Sequence, residues 1–488
     1  EDKIKRKKVR AFRRTLLLSS YCAAFHVFGA VLGAMGPALP SIQRDLVRYS
    51  LSHYGAVFTS RGLGCLFGAL LAASVESRFH NFGIMVGTLT MGFGCFGIVV
   101  LKSWFHDNFL ALCVMAVLQG GGGGFSAVLV NTQTATQTPP DSPWLTGVHF
   151  SYSIGALIIP FIVQACGYKV AFGILALASL IAALCPPIFG WGLQSRRKKK
   201  DDPADEAPGE PEDGEEPFLL SPGEDTSLLS PGEEGKADPA KDGADGLDSE
   251  RGRGYSADSD MLEALQPLGI IPTGMLTLLF FLYLGFELGY GGWISSYVAE
   301  HHMDPEGPSG HWVAWSASIF WLGMATGRAL VAGIIKWVGV AKILTGNMIG
   351  CVVSLVILTV NAGAGNSLKV LLIGTALYGL SSATLFPLTM SLPGTYALEL
   401  SEKSATAFLV GASFGEMAIP MAMGFMVNKT ASALFAFTLL GTLLTVGQYA
   451  AVTCVMDKES KAGRVRAYSH QSVTTPGTST SSSKFWMD

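Results

Sequence analysis

The chain has 488 residues, of which 49% are hydrophobic and 15% charged, and its mean hydropathy is +0.39. Soluble globular proteins carry about 25% charged residues, so this composition excludes an ordinary soluble protein of two or three domains. The net charge of −3 carries little information, because basic and acidic residues are separated along the chain. Most of the 58 glycines lie inside apolar blocks, which is typical of closely packed membrane helices.

The apolar residues form blocks of about 20 residues, the length that an α-helix needs to cross a hydrocarbon core of about 30 Å. Continuous apolarity without a two-residue alternation predicts helices rather than a membrane β-barrel. A basic leader at 1–14 precedes the blocks and lacks the features of a secretory signal peptide. The twelve predicted spans are 15–40, 51–75, 83–101, 109–136, 144–166, 170–193, 268–298, 311–338, 343–360, 368–392, 405–427 and 431–455.

Twelve spans place both termini on one side of the membrane, and the positions of lysine and arginine predict that this side is the cytosol. The RRKKK run at 196–200, which follows the sixth span, is the strongest of these signals. We therefore expect a first six-helix half at 15–193, a cytosolic linker at 194–265, a second half at 266–456 and a cytosolic tail at 457–488. The linker is rich in Pro, Gly, Ser and acidic residues, and the tail in Ser and Thr, so both are predicted to be disordered.

The linker contains two copies of the string LLSPGE, and each leucine pair has an acidic residue four positions before its first leucine. This spacing resembles the acidic dileucine signal that sorting adaptors bind on endolysosomal proteins, although low-complexity sequence is the alternative interpretation. The protein is therefore expected in the plasma membrane or in an endolysosomal or vacuolar membrane. The residues of the two signals are Glu215, Leu219, Leu220, Glu224, Leu228 and Leu229.

Two six-helix halves joined by a charged linker resemble the major facilitator superfamily, and local strings strengthen the resemblance. GPALP at 36–40 closes the first span, a degenerate form of the family's loop motif runs from Gly68 to Arg78, and Gly327 with Arg328 holds the related place in the eighth span. The resemblance implies an all-α membrane protein with twelve helices in two pseudo-symmetric halves. It also implies a solute site between the halves at mid-membrane.

Further strings resemble the branch that contains sodium-dependent glucose transporter-like proteins and bacterial fucose-proton symporters. They are Asn131, the HF pair at 149–150, the segment 283–294 and the GE pair at 415–416 with Pro420. This resemblance implies a small-molecule substrate, a hexose or related sugar, moved by alternating access with Na⁺ or H⁺ as a possible coupling ion. Relatives often carry an acidic residue where this chain has Ala127. An uncoupled facilitator, an exporter of another metabolite and a non-transporting solute sensor therefore remain alternatives.

A charge at the centre of a membrane helix costs roughly 3 kcal/mol or more, so a retained charge faces a partner or a watery cavity. The ionisable groups that lie inside apolar blocks are predicted to act in coupling or gating: Arg61, Glu287, Arg328 and Glu416. Helix rise places Arg61 and Glu416 at nearly one depth. The resemblance to the major facilitator superfamily implies that the second and eleventh spans pack against each other across the interface between the halves. We therefore predict an ion pair between them, with separate satisfaction by backbone or water as the alternative.

Polar and aromatic groups within the spans are candidates for binding a sugar, which presents both hydroxyl edges and apolar ring faces. Asn131 and His149 lie at similar depth and are able to hydrogen-bond to each other, either as part of a solute site or as a structural contact. Trp293 has an interfacial anchor as its alternative role. The predicted substrate-binding residues are Gln119, Asn131, His149, Tyr283, Glu287, Tyr290 and Trp293.

The remaining motifs argue against an enzyme. The run of five glycines at 120–124 lacks the Lys-Ser/Thr of a phosphate loop and predicts close helix packing. The sequence contains no metal-ligand spacing and no nucleophile motif, so we predict no metal and no cofactor beyond a coupling ion. The expected partners are the solute, membrane lipids and sorting adaptors, and no nucleic acid.

Overall fold

The computed structural model describes residues 2–45, 49–105, 108–138, 144–190, 266–307, 310–427 and 429–474. The predicted linker and its two dileucine signals lie outside these residues. Nearly all of the described chain is helical, and two residue pairs form a minimal parallel sheet. The strands are β1 Gln266–Pro267 and β2 Leu398–Glu399.

Thirteen α-helices are present in the described part of the chain, together with two short 3-10 turns at Leu51–Tyr54 and Ser77–Phe79. Six precede the linker: α1 Asp2–Asp45, α2 Gly55–Ala72, α3 His80–Val99, α4 Leu101–Phe105, α5 Phe109–Gln137 and α6 Trp144–Gly190. Seven follow it: α7 Ile270–Glu300, α8 His311–Val338, α9 Val340–Gly363, α10 Leu368–Ser382, α11 Leu385–Thr395, α12 Glu402–Gly424 and α13 Ala433–Thr474.

Eleven stretches of the described chain are long and apolar enough to span a membrane, and one of them accounts for two crossings. That stretch, Gly147–Gly190, has 44 residues, or about 66 Å of helix, which is twice the thickness of a hydrocarbon core. Gly167 interrupts it with φ 80° and ψ 158°, a backbone conformation that glycine adopts without steric cost. The chain therefore reverses at Gly167, and the predicted twelve spans are recovered.

The tenth span is broken, which the hydropathy pattern did not predict. α10 ends at Ser382 and α11 begins at Leu385. Pro387 lies four residues after Ala383 and has no N–H, so it cannot donate the helical hydrogen bond that the Ala383 carbonyl would accept. The break leaves this carbonyl available inside the membrane span, where an unpaired backbone group is costly.

Equivalent helices pack in the two halves. In the first half α1 packs on the part of α6 that forms span five, and α2 packs on α5. In the second half α7 packs on α12, and α8 packs on α10. Counting spans from the start of each half, both halves thus pair their first with their fifth span and their second with their fourth. This repetition is the predicted pseudo-symmetry.

The glycine run of α5 brings backbones into direct contact. A Cβ on Gly122 would press on the carbonyl of Gly87 in α3, and a Cβ on Gly124 would lie 2.9 Å from the Cα of Cys65 in α2. Neither position has room for a side chain. The structure thus assigns the run to close helix packing, as the sequence analysis predicts.

The helix ends differ from the predicted segment boundaries. α1 begins at Asp2, so the basic leader is a continuation of the first membrane helix. α13 continues to Thr474, so the part of the predicted tail from 457 to 474 is helical rather than disordered. At the start of α1 and at the end of α13, helix-forming residues continue past the apolar block. The boundaries differ because hydropathy marks the membrane-buried part of a helix and not the residue at which the helix ends.

Candidate functional site

The two halves meet most extensively along two seams, and α1 also contacts α7. We call the contact of α2 with α12 the first seam, and the contact of α6 with α8 the second seam. α2 is the second span of its half and α12 is the fifth span of the other half, and the same is true of α8 and α6. The two seams are therefore pseudo-symmetric equivalents. Each contains a buried arginine, Arg61 in the first and Arg328 in the second.

Arg61 and Glu416 form an ion pair across the first seam. Arg61 Nε donates to Glu416 Oε1 at 3.0 Å, and each residue is only 4% exposed. Arg61 Nη1 also donates to the carbonyl of Leu32 at 3.4 Å, and the guanidinium lies over the ring of Phe58 at 5.2 Å. The predicted pairing is therefore present, whereas its role in gating stays a prediction. Because the two charges belong to different halves, any separation of the halves at this seam must break the pair.

The first seam permits this contact because its helices approach closely. Thr59 Oγ1 donates to the carbonyl of Met417 at 2.9 Å, a hydrogen bond between side chain and backbone across the seam. A Cβ on Gly62 would lie 3.0 Å from the backbone nitrogen of Met417. Small residues one turn apart on α2 thus bring the backbone of α12 within reach of Arg61.

A small cavity of about 10 Å³ lies beside the ion pair. Its lining includes Phe28 from α1, Arg61 from α2, Gln119 from α5 and Glu416 from α12. Gln119 is 1% exposed, and its Nε2 donates weakly to Cys95 Sγ at 3.6 Å. Its Oε1 is buried and has no hydrogen-bond partner. We call this space the seam cavity.

Arg328 bridges the second seam without a carboxylate partner in the described chain. Its Nη1 donates to the carbonyl of His149 at 2.8 Å and to Ser153 Oγ, both on α6. Its Nε donates to the carbonyl of Ala383 at 2.9 Å, the group that Pro387 leaves unpaired. Ser153 and Ala383 are not among the site residues predicted from the sequence. Pro387, four residues after Ala383, was the signal that could have identified the free carbonyl.

Glu287 lies in the second half and is 3% exposed. Its carboxylate accepts a hydrogen bond from Tyr283, one helical turn earlier on α7. Within the described residues Glu287 forms no ion pair. A buried carboxylate that makes no ion pair is costly even where a cation, here Arg328, acts on it from beyond contact distance, so this group is suited to take up a proton or a cation.

The rest of the predicted binding segment on α7 packs against protein. Tyr290 is fully buried, and its hydroxyl lies 2.7 Å from Thr375 Oγ1 on α10 of the same half. Trp293 is also fully buried, donates from Nε1 to the Pro420 carbonyl at 2.7 Å and contacts the ring of Phe58. The alternative that Trp293 is an interfacial anchor is therefore wrong. Solute binding by these two residues stays a prediction.

Asn131 and His149 are not brought together as a hydrogen-bonded pair. Asn131 Oδ1 is buried and has no hydrogen-bond partner. The His149 ring packs edge-on against Phe25 at 5.6 Å and lies 6.3 Å from the ring of Phe386. The predicted bond between Asn131 and His149 is thus wrong. Equal depth on two helices does not make two side chains face each other.

The family model of the Major Facilitator Superfamily matches residues 21–408. The chain belongs to this superfamily. It is therefore a multi-pass membrane transporter and not an enzyme. In the described residues no three His, Cys, Asp or Glu side chains are grouped so as to hold a metal ion.

Two curated relatives are similar over most of the chain. Sodium-dependent glucose transporter 1 of Homo sapiens is 24% identical over 469 residues, which cover 91% of this chain and 81% of that protein. The Xenopus laevis protein of the same name is 25% identical over 400 residues, which cover 81% of this chain and 72% of that protein.

Solved structures share the fold at lower identity. A D-xylose-proton symporter matches with a TM-score of 0.60 at 12% identity, over 90% of this chain and 97% of that chain. The nucleoside transporter NupG matches with a TM-score of 0.55 at 12% identity, over 90% and 98%. These likenesses place the twelve spans and two halves in a known transporter fold.

Proposed function

We propose that the protein transports a hexose or a related sugar by alternating access, driven by a gradient of Na⁺ or H⁺. The names of the two curated relatives support a sugar as the solute. Membership of a superfamily of transporters, built from two halves around a central pathway, supports alternating access.

The observation that carries the proposal is the buried ion pair between Arg61 and Glu416. In alternating access the halves separate first at one face of the membrane and then at the other. A contact that joins the halves in one state must open in another, and a charged pair becomes hydrated when water enters the seam. Burial of both charges at the interface is the arrangement that such a cycle requires.

Coupling is assigned to Glu287. An unpaired carboxylate in the membrane interior is stabilised when H⁺ or Na⁺ binds, because either ion removes the uncompensated charge. Loading and unloading of this residue from opposite sides would link ion movement to the conformational cycle. Tyr283 holds the carboxylate by a hydrogen bond, so its position is fixed before the ion arrives.

The test is uptake of a labelled hexose panel into proteoliposomes with imposed Na⁺ or H⁺ gradients. Glu287→Gln should abolish gradient-driven accumulation and retain exchange of sugar at equal concentrations, because the neutral amide imitates the ion-bound carboxylate. Glu300→Gln is the matched control, since Glu300 is an exposed carboxylate at the end of the same helix.

Three outcomes would change the conclusion. Wild-type uptake that only equilibrates under every gradient would identify a facilitator. Accumulation that survives Glu287→Gln would place coupling elsewhere. No movement of any sugar would exclude the proposed substrate class and favour export of another metabolite.

A further inference from the structure

Tyr152 lies on the face of span five that is turned away from lipid. The exposed apolar side chains on this part of α6, among them Phe150 and Phe161, mark the face that lies against the bilayer. At about 100° per residue, Tyr152 is about 160° from Phe150 and about 180° from Phe161 around the helix axis. Its side chain is therefore directed towards the interior of the molecule.

Rings and charges from both halves surround Tyr152. Its ring packs against Phe28 on α1, with 5.5 Å between the ring centroids, and against Trp321 on α8 at 6.0 Å. The Arg328 guanidinium lies over the Tyr152 ring at 5.7 Å. Phe28 also lines the seam cavity of the first seam, whereas Arg328 belongs to the second seam. Tyr152 thus lies between the two seams, where a solute passes between the halves.

The fold does not use the Tyr152 hydroxyl. It forms no hydrogen bond with the residues that the structure describes, whereas the hydroxyls of Tyr290 and Tyr297 each bond to a neighbouring segment. The unpartnered hydroxyl of Tyr54 is sealed off from water, but Tyr152 is half-buried and its hydroxyl is not sealed off in this way. A solute is therefore able to reach this hydroxyl. Because the ring is held by its neighbours, the hydroxyl has a fixed position before a solute arrives.

The surroundings of the hydroxyl favour a neutral, hydroxylated solute. Two positive and two negative side chains act electrostatically on Tyr152: Arg61, Arg328, Glu287 and Glu416. Because the two signs are balanced, neither an anionic nor a cationic group is preferred. A phenol donates one hydrogen bond and accepts others, and a solute hydroxyl does the same, so the two groups are complementary. The aromatic rings beside the hydroxyl suit the apolar face of a sugar.

We propose that the hydroxyl of Tyr152 binds one hydroxyl group of the transported solute, which makes Tyr152 a specificity-determining residue. This inference rests on the proposed function, since it assumes a polyhydroxylated solute. Tyr152 is not among the site residues predicted from the sequence, because a single tyrosine in an apolar block gives no signal of its direction. A hydrogen bond between neutral groups corresponds to a preference of about 2- to 12-fold for a sugar that carries the matching hydroxyl.

The experiment measures KM for a transported hexose and for its complete set of monodeoxy analogues in proteoliposomes. Tyr152→Phe removes the hydroxyl and keeps the ring, so the contacts with Phe28, Trp321 and Arg328 are retained. It should raise the KM of the parent hexose, and of every analogue that keeps the matching hydroxyl, by about 2- to 12-fold. The KM of the one analogue that lacks this hydroxyl should not change. Gel filtration of each purified variant verifies folding.

Tyr449→Phe is the matched control. Tyr449 is a buried tyrosine of α13, and its hydroxyl is already partnered, since it donates to the Ala341 carbonyl on α9 at 3.2 Å. Any loss in this variant should be the same factor for every sugar.

Two results would overturn the proposal while leaving sugar transport intact. In the first, Tyr152→Phe leaves the KM of the parent hexose unchanged. In the second, it raises the KM of the parent and of all analogues by one common factor, which is the result expected if the hydroxyl only holds water or shapes the pathway. Absence of wild-type transport for every sugar in the panel would overturn this inference together with the proposed function.

Discussion

The ion pair between Arg61 and Glu416 is the contact whose loss we expect to impair transport most. Its side chains are each 5% exposed, and the two atoms that meet lie 3.0 Å apart. Removing one partner, as in Arg61→Met or Glu416→Gln, leaves the other charge buried and uncompensated. In buried pairs this costs about 3–5 kcal/mol. Removing both charges leaves neither unpaired, so the double variant should regain much of the lost stability.

Charge reversal gives a stricter test. At 3.0 Å and an effective dielectric constant of about 20, two like charges repel by roughly 5 kcal/mol. Arg61→Glu and Glu416→Arg should therefore each lower transport to a small fraction of the wild-type rate. Exchanging both residues restores an attractive pair across the first seam. Recovery should be partial, because a glutamate at position 61 cannot donate to the Leu32 carbonyl as Arg61 does.

The assay is counterflow of a labelled hexose in proteoliposomes, normalised to folded protein, with melting temperature in detergent measured in parallel. We expect the exchanged variant to transport about tenfold better than either single reversal, a coupling within the range measured for contacting residues. An exchanged variant that is no better than either single reversal would refute the reasoning. The control is the same exchange at Asp457 and Lys461, an exposed pair at 2.6 Å that should contribute little.

Two further predictions test the broken tenth span and the packing of the first half. Arg328→Met should lower the melting temperature. Adding Pro387→Ala to this variant should reduce the loss, because an N–H at position 387 is able to pair with the Ala383 carbonyl. Equal losses with and without Pro387→Ala would contradict this explanation. Gly122→Ala should destabilise the protein by about 1–3 kcal/mol in thermal unfolding, whereas Gly147→Ala, whose Cβ would meet nothing within 4 Å, should not.

The fold could be predicted from sequence because its strongest signal, blocks of about 20 apolar residues, is set by bilayer thickness. The turn between spans five and six was predicted close to Gly167, where a positive φ interrupts the helix. The break in span ten was missed because Pro387 is itself compatible with an apolar block. Hydropathy does not register a missing N–H. Helix ends at Asp2 and Thr474 were missed for the related reason that helices continue beyond the membrane.

The contacts of the candidate site were predictable only where the depth of two residues in the membrane decides whether they meet. Arg61 and Glu416 share a depth and lie on helices that face each other, so the predicted ion pair is present. Asn131 and His149 also share a depth, but they do not bond to each other. Depth follows from counting residues along one helix, whereas the direction of a side chain around that helix depends on how all its neighbours pack. Sequence alone supplies the first quantity and not the second.

The two seams differ in what their separation would cost. At the first seam, opposite charges from the two halves neutralise each other, so opening separates them and exposes both to water. At the second seam, Arg328 is held only by neutral acceptors of the described chain, His149 O, Ser153 Oγ and Ala383 O. A guanidinium with no carboxylate in contact gains more from hydration than one that a buried carboxylate already neutralises. The pseudo-symmetry of the helices is therefore not matched by the chemistry of the contacts, and the first seam should be the harder of the two to open.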